Sequence, residues 1–261
     1  MGMAEPVYTV AIAAGRALFA SLRVKPKVTG LANLPDAGGA VLAITHFGYL
    51  DFALVEWILW HRNRRRIRFL AKKGVFKQPV LGAVLRSMGH IAVDMEAGSE
   101  AYAEAVASLK SGEVLGVFPE GGVNASFTVR ALKTGTVRMA AEADVPVIPI
   151  AVWGGHRLLT KNHRYSVREA VGTPIRFAIG QPFQVDPAVD PRELTLGLHD
   201  TLQGLVDGLQ GDYPDDGSGQ WWQPEHLGGT APTPEEAAVA EAERRRLRAA
   251  RESRARKIRR P

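Results

Sequence analysis

The chain has no cysteine in its 261 residues. That excludes a disulfide scaffold, thiolate zinc sites, iron–sulfur ligation and a cysteine nucleophile, and it leaves the compartment open. Long apolar runs are also missing: no uncharged stretch reaches the roughly 18–20 residues that a membrane-crossing helix needs. The best candidate, residues 7–24, is interrupted by Arg16 and Arg23 and has no basic segment ahead of it of the kind a signal peptide carries. There is no G-x-S-x-G elbow, P-loop, G-x-G-x-x-G or H-E-x-x-H, and the seven histidines show no metal-ligand spacing. The usual serine-hydrolase, nucleotide-binding and zinc-enzyme readings fall away. Internal repeats are absent too.

What is present suits one α/β domain with short appendages: 46% hydrophobic and 23% charged residues can bury a proper core. The formal net charge of +6 is local. Ten of the 33 basic residues and one of the 27 acidic ones lie in 244–261, which leaves the rest of the chain with 23 and 26. The body is near neutral, and the basicity belongs to a tail.

Residues 7–24 place Val7, Val10, Ala14, Ala17, Leu18 and Leu22 at helical spacing. Two readings stand for this amphipathic helix, one packed on the domain and one lying in a membrane interface. Strands and helices then alternate: strands at 40–45, 67–71, 90–93, 113–118, 145–152 and 175–179, and helices at 50–61, 79–88, 99–110 and 134–143. Ser99 is read as a helix cap, with Gly112 just beyond the same helix. A last helix opens at Asp190-Pro191-Arg192-Glu193 and carries Leu194, Leu198, Leu202, Leu205 and Leu209 on one stripe. The pattern predicts a largely parallel sheet covered by helices. Expected divisions are an N-terminal helical segment over 1–28, a catalytic domain over 29–229, and a linker with a basic tail over 230–261. Thr233-Pro234-Glu235-Glu236 is a capping box, so the tail can be helical. Its large apolar residues, Val239, Leu247 and Ile258, form no stripe, which predicts a helix that does not pack.

Two motifs stand at strand exits. His46-x4-Asp51 follows the buried strand 40–45; with His46 in the loop and Asp51 in the first helical turn, the carboxylate can take one imidazole nitrogen and leave the other as a general base. Alone it is weak, since about 0.3 such pairs arise by chance at this composition. Phe118-Pro119-Glu120-Gly121 follows the strand 113–118 and is expected roughly 0.003 times by chance. Ligands in such folds bind beyond the carboxyl ends of the strands, which is where both motifs lie.

These residues resemble the glycerolipid acyltransferases typified by 1-acyl-glycerol-3-phosphate acyltransferase. The resemblance covers about residues 30–155 in four ordered blocks: His46-x4-Asp51; Lys72 and Lys73 through Pro79 and Gly82 to Gly89-His90-Ile91-Ala92-Val93-Asp94; Phe118-Pro119-Glu120-Gly121; and Val145-Pro146-Val147-Ile148-Pro149-Ile150. It implies that His46 is the general base on an acceptor hydroxyl that attacks an acyl thioester directly. Asp51 would hold the imidazole, and no acyl-enzyme would form. Acyl-CoA or acyl-carrier protein would be co-substrate, with no cofactor and no metal. Phe118, Pro119, Glu120, Gly121 and Gly122 would form the acceptor loop, and backbone N–H groups near Gly121 or Gly122 would face the oxyanion.

The departures matter as much. Arginine positions of the family are Met95, Val123 and Ala125 here, and a commonly serine position is Gly48. Those arginines would hold the acceptor's phosphate, where bidentate contacts are hard to replace. Three explanations stand: an acceptor without the usual phosphate, a substitute cation such as Arg130, Lys133 or Arg157, or lost catalysis in a protein that binds lipid or an anionic partner through its basic surfaces. Residues 7–24, 62–77 and 244–260 offer contacts with an anionic leaflet, so a peripheral protein on the cytoplasmic face of the cell membrane is expected. The tail arginines lack interleaved aromatics or a recognisable module, and no sequence-specific nucleic-acid binding is expected.

Overall fold

The computed structural model describes residues 4–94 and 98–258. Helix α1 (Ala4–Ser21) leads into strand β1 (Lys25–Thr29), β2 (Ala40–Ile44), α2 (Asp51–Asn63), β3 (Ile67–Lys72), α3 (Lys73–Phe76), α4 (Pro79–Ser87) and β4 (Ile91–Val93). Then come α5 (Ser99–Lys110), β5 (Val114–Val117), α6 (Gly135–Ala143), β6 (Val147–Trp153), α7 (Gly155–Leu158), α8 (Val167–Ala170), β7 (Pro174–Ile179), α9 (Pro191–Gly211) and α10 (Pro234–Ile258). The seven strands form one sheet in the order β1-β7-β6-β2-β5-β3-β4, parallel except where β7 meets β6.

Strand β2 lies at the centre because both its faces can be buried. Val41 and Ala43 join a core layer with α5, α6 and α9, while Ala40, Leu42 and Ile44 join a second layer with α1 and α2. All five are fully buried, so truncating Val41, Leu42 or Ile44 would cost on the order of 2 kcal/mol or more. The α9 stripe is as expected, with Leu198, Leu202 and Leu209 buried, and Leu194 and Leu205 packed at the margin.

Four expectations need correction. β1 was not foreseen: Lys25-Pro26-Lys27-Val28-Thr29 has the weak alternation and the proline of an edge strand, and it pairs with β7. The sheet therefore starts inside the segment assigned to the N-terminal helix. Ser99 is the first residue of α5 and makes no capping bond, the cap position being Gly98. In α1 the packed face is Tyr8, Ile12 and Phe19, while Val10 and Leu18 of the expected stripe face outward; Leu22 of that stripe is buried just beyond the helix. The helix is apolar on both sides, which is why spacing alone picked the wrong one. Finally, the reciprocal bonds of Thr233 and Glu236 do cap α10, but the helix packs through Ala237, Ala240, Glu241 and Arg244. That face of small and charged residues carries no hydrophobic signal.

The basic run after α2 is largely engaged within the fold. Arg65 donates to the carbonyls of Gly38 and Gly112 at 2.6 and 2.7 Å, and Arg68 binds Glu113 at 2.8 Å and Glu104 at 3.2 Å. Arg62 pairs with Asp36. Among the described residues, no helix is long and apolar enough to cross a membrane.

Helix α1 is pinned by a buried polar pair, Tyr8 and Glu56, whose tyrosine oxygen also accepts the Ile67 N–H at 3.1 Å. Burial pushes the Glu56 carboxyl up to about 7, with the Tyr8 hydroxyl pulling against it. A folded-state pKa above the unfolded one gives a contribution that is complete in acid and lost as pH rises through about 7. Glu56→Gln is therefore expected to gain on the wild type by on the order of 2 kcal/mol between pH 5 and pH 8. Melting curves at the two pH values check this, and a pH-independent difference would count against it.

Candidate active site

The site stands at the carboxyl ends of three adjacent strands, β5, β2 and β6. Parallel register sets Ala43 beside Val117 and Ile44 beside Ile150. The chain therefore leaves β2 at His46, β5 at Phe118 and β6 at Gly154 in one neighbourhood, although those residues are far apart in sequence.

His46 and Asp51 meet as the spacing predicted. Asp51 opens α2, and its Oδ2 receives the N–H groups of Phe47 at 2.9 Å and Gly48 at 2.8 Å. The same oxygen lies 3.2 Å from His46 Nδ1. Two backbone donors mark Oδ2 as an acceptor, which assigns the shared proton to Nδ1 and leaves the lone pair on Nε2. Burial pushes the Asp51 carboxyl above its ordinary range, and the His46 and backbone N–H donors oppose that rise. The imidazole keeps 15% of its surface. Its plane is set by Phe118, stacked on it at 3.9 Å and 20°, and Phe118 is backed in turn by Phe69.

Glu120 faces inward and is 5% exposed. Oε1 accepts the His46 N–H at 2.9 Å, Oε2 accepts Asn124 Nδ2 at 3.2 Å, and the Asn124 N–H donates to the His46 carbonyl at 2.8 Å. Burial pushes its carboxyl up to about 7. The glutamate thus clamps the two motif loops together, so any effect on an acceptor passes through the loops. Gly121, at φ +73°, closes the turn by donating to the Phe118 carbonyl at 2.9 Å. That N–H is engaged, which leaves Gly122 as the one of the two expected oxyanion donors.

The departures from the family's pattern have local causes. A β-carbon at Gly48 would lie 2.8 Å from the Gly155 carbonyl, so a serine does not fit. Val123 and Ala125 are buried; Met95 lies outside the described residues. Arg130 curls back instead, with Nη2 donating to the Gly122 carbonyl at 2.7 Å and Nε 3.8 Å from Glu120. Lys133 crosses Gly121, where a β-carbon would come within 3.2 Å of Nζ. Pro119 is buried, and its carbonyl receives the Lys133 N–H at 2.9 Å. Arg157 does not join this group: its guanidinium binds Asp215 at 2.5 Å and Tyr213 at 2.9 Å and lies over Trp222. It fastens the segment after α9.

Sequence reasoning missed Asn124, Lys161, Gly155 and Glu241. Only the Gly154-Gly155 pair after a buried strand carried a readable signal. Lys161 Nζ donates to the Val123 carbonyl at 2.6 Å and lies 3.8 Å from Glu241 of α10, which also binds Arg130 at 2.6 Å and Arg245 at 2.8 Å.

The acyltransferase family model matches residues 25–153. The 1-acyl-sn-glycerol-3-phosphate acyltransferase of Bacillus subtilis is 33% identical over 163 residues, 60% of this chain and 77% of that protein. The chain belongs to the acyltransferase family. The enzyme of the same name from Borreliella burgdorferi is 25% identical over 142 residues, 53% of this chain and 55% of that protein. The crystal structure of the 1-acyl-sn-glycerophosphate acyltransferase PlsC from Thermotoga maritima superposes with a TM-score of 0.67 at 22% identity, covering 81% of this chain and 83% of that one. The fold of this acyltransferase is therefore shared with that structure.

Gly155 tests the geometry directly. A β-carbon there would lie 2.6 Å from Asp51 Oδ1 and 3.1 Å from Leu54 Cδ1, while Oδ2 is held from the other side. Gly155→Ala is expected to displace the carboxylate and shift or broaden the His46 Nδ1–H resonance, with turnover falling about 100-fold. A wild-type proton spectrum in the folded variant would refute the constraint.

Proposed function

We propose that this chain is an O-acyltransferase that moves a fatty acyl group from acyl-CoA or acyl-carrier protein to a hydroxyl of a glycerolipid-like acceptor, a lysophosphatidate-type reaction. The observation that carries the reading is His46 Nδ1 held 3.2 Å from a buried, multiply bonded Asp51 at the mouth of three strands. His46 Nε2 takes the acceptor's hydroxyl proton as that oxygen bonds to the thioester carbonyl carbon. The tetrahedral intermediate collapses by breaking the carbon–sulfur bond, and the thiolate leaves with the proton returned from the imidazolium. Asp51 favours the imidazolium electrostatically and fixes the tautomer. The Gly122 N–H is the backbone donor assigned to the oxyanion. Arg130 and Lys133, gathered over Gly121 and Gly122, take the part of the arginines missing at 123 and 125 and hold the acceptor's anionic group.

Thiol release from long-chain acyl-CoA, or acyl-carrier protein in a parallel series, tests this against a panel of acceptors. Release that requires an acceptor is expected to fall at least 1,000-fold in His46→Ala and strongly in Asp51→Asn. Release independent of His46 would sink the base assignment. No acceptor-dependent release from either donor would favour the binding-protein reading, which draws its support from the apolar residues at 123 and 125.

The same reading puts the protein on the cytoplasmic face of the cell membrane as a peripheral enzyme. Its support is an exposed apolar surface: Val10 and Leu18 on α1, and Val80 and Leu81 on α4, which packs against α1. Lys73 and Lys77, between β3 and α4, are exposed. Shallow insertion of such a face, helped by basic residues, holds a protein to an anionic leaflet without spanning it. Val10→Asp combined with Leu18→Asp is expected to weaken sedimentation with anionic vesicles about tenfold. Binding equal to wild type would remove α1 from the contact.

A further inference from the structure

Beside Glu120 the fold gathers more positive charge than the motif loops require. At Gly122 a β-carbon would lie 3.4 Å from Arg130 Nη2 and 3.6 Å from Lys72 Nζ, and Lys133 covers Gly121. Lys161, from the loop after α7, reaches the Val123 carbonyl. Four cations from three parts of the chain thus border the loop that also carries Glu120, whose carboxylate bonds the His46 backbone N–H. Two of them, Arg130 and Lys161, are half-buried, where a cation is stabilised by a nearby anion.

The anion they hold comes from outside the segment that carries the family motifs. Glu241 of α10 directs Oε2 between Arg130 at 2.6 Å and Lys161 at 3.8 Å, while Oε1 accepts from Arg245 at 2.8 Å. Its side chain is 17% exposed. Burial would raise this carboxyl, but bonds from Arg245 and Arg130 outweigh it and bring it down to about 2, so it is ionised. Arg244, one turn on, bonds to Asn162 and keeps α10 against the same loop. A carboxylate in a bidentate-capable guanidinium site has the charge and shape of part of a phosphate group.

The geometry points to Glu241 as a specificity-determining residue. Its carboxylate occupies the Arg130–Lys161 anion subsite, so an acceptor with a phosphate or other anionic group binds only by displacing it, whereas an uncharged acceptor leaves it in place. The inference deepens the acyl-transfer reading and rests on it for the nature of the ligand. It accounts for a site that keeps cations although the arginine positions are apolar. It also assigns a role to a helix whose sequence shows no packing stripe.

The experiment compares lysophosphatidate with a monoacylglycerol of the same chain, which presents the same hydroxyls without phosphate. In Glu241→Gln the ratio of kcat/KM for the anionic acceptor to that for the neutral one is expected to rise about tenfold, through KM rather than kcat. Arg130→Gln is expected to lower the ratio. A Glu241→Gln ratio equal to wild type, with both acceptors turned over, would overturn the inference and leave the acyl-transfer reading intact. No His46-dependent turnover of either acceptor would instead overturn that reading. Calorimetry with sn-glycerol 3-phosphate gives a readout without activity: Glu241→Gln is expected to bind it about tenfold more tightly, and unchanged affinity would equally overturn the inference. Glu236→Ala, which removes the side chain that accepts the Thr233 N–H and leaves the subsite untouched, controls for helix docking. If it matched Glu241→Gln in both assays, the effect would belong to the helix and the assignment to Glu241 would fall.

Discussion

The site depends on one oxygen atom. Asp51 Oδ2 gathers two backbone N–H groups and the His46 imidazole, and no fourth group could replace it without freeing one of the three. The x4 spacing follows from this. A carboxylate in the first turn of α2 can reach back to the amides of residues 47 and 48 only if the chain turns tightly through them, and that same turn brings the His46 ring over the carboxylate. Because the atom is buried, its bonds are made in low dielectric and its position is held firmly. The loop, the first turn of α2 and the imidazole orientation are therefore a single constraint.

The constraint propagates through neighbouring strands. There is no room for a side chain at Gly48 against the backbone of Gly155, or at Gly155 against the other Asp51 oxygen, so the exits of β6 and β2 fit together only through glycine. On the other side, Glu120 bonds the His46 amide and Asn124, which ties in the exit of β5. The apolar residues at 123 and 125 belong to this support: they are buried beside Asn124, where a guanidinium would have no room. What looks in sequence like two missing arginines is, in the fold, a packed wall, and Arg130, Lys133 and Lys161 approach the same loop from other positions.

How much of this could be read beforehand follows the physics of each signal. Strand β2 and helix α9 were legible because burial on both faces of a strand, or on one stripe of a helix, writes itself as an unbroken or periodic apolar pattern. The His46–Asp51 contact was legible because its partners are five residues apart. Strand β1 was not, since an edge strand buries little and tolerates proline and lysine. The orientation of α1 failed for the opposite reason: both of its faces are apolar, and only packing against Glu56 and Trp57 distinguishes Tyr8 and Phe19 from Val10 and Leu18. Arg157 was misplaced because a lone arginine after a motif strand carries no information about which way it turns.

Helix α10 marks the limit of the hydrophobic code most clearly. Its docking face is Ala237, Ala240, Glu241 and Arg244, and its affinity for the body rests on charges whose partners lie 80 to 111 residues earlier. Pairing of that kind leaves no periodic trace, and taken alone the segment reads as a solvated basic tail. Yet a carboxylate held between Arg130 and Lys161 lowers the net positive charge beside the Gly121–Gly122 turn. A docking face built from charges is also weaker in salt and more easily exchanged than an apolar one. The contact is thus suited to being broken by a competing anion, which a buried leucine stripe would not permit.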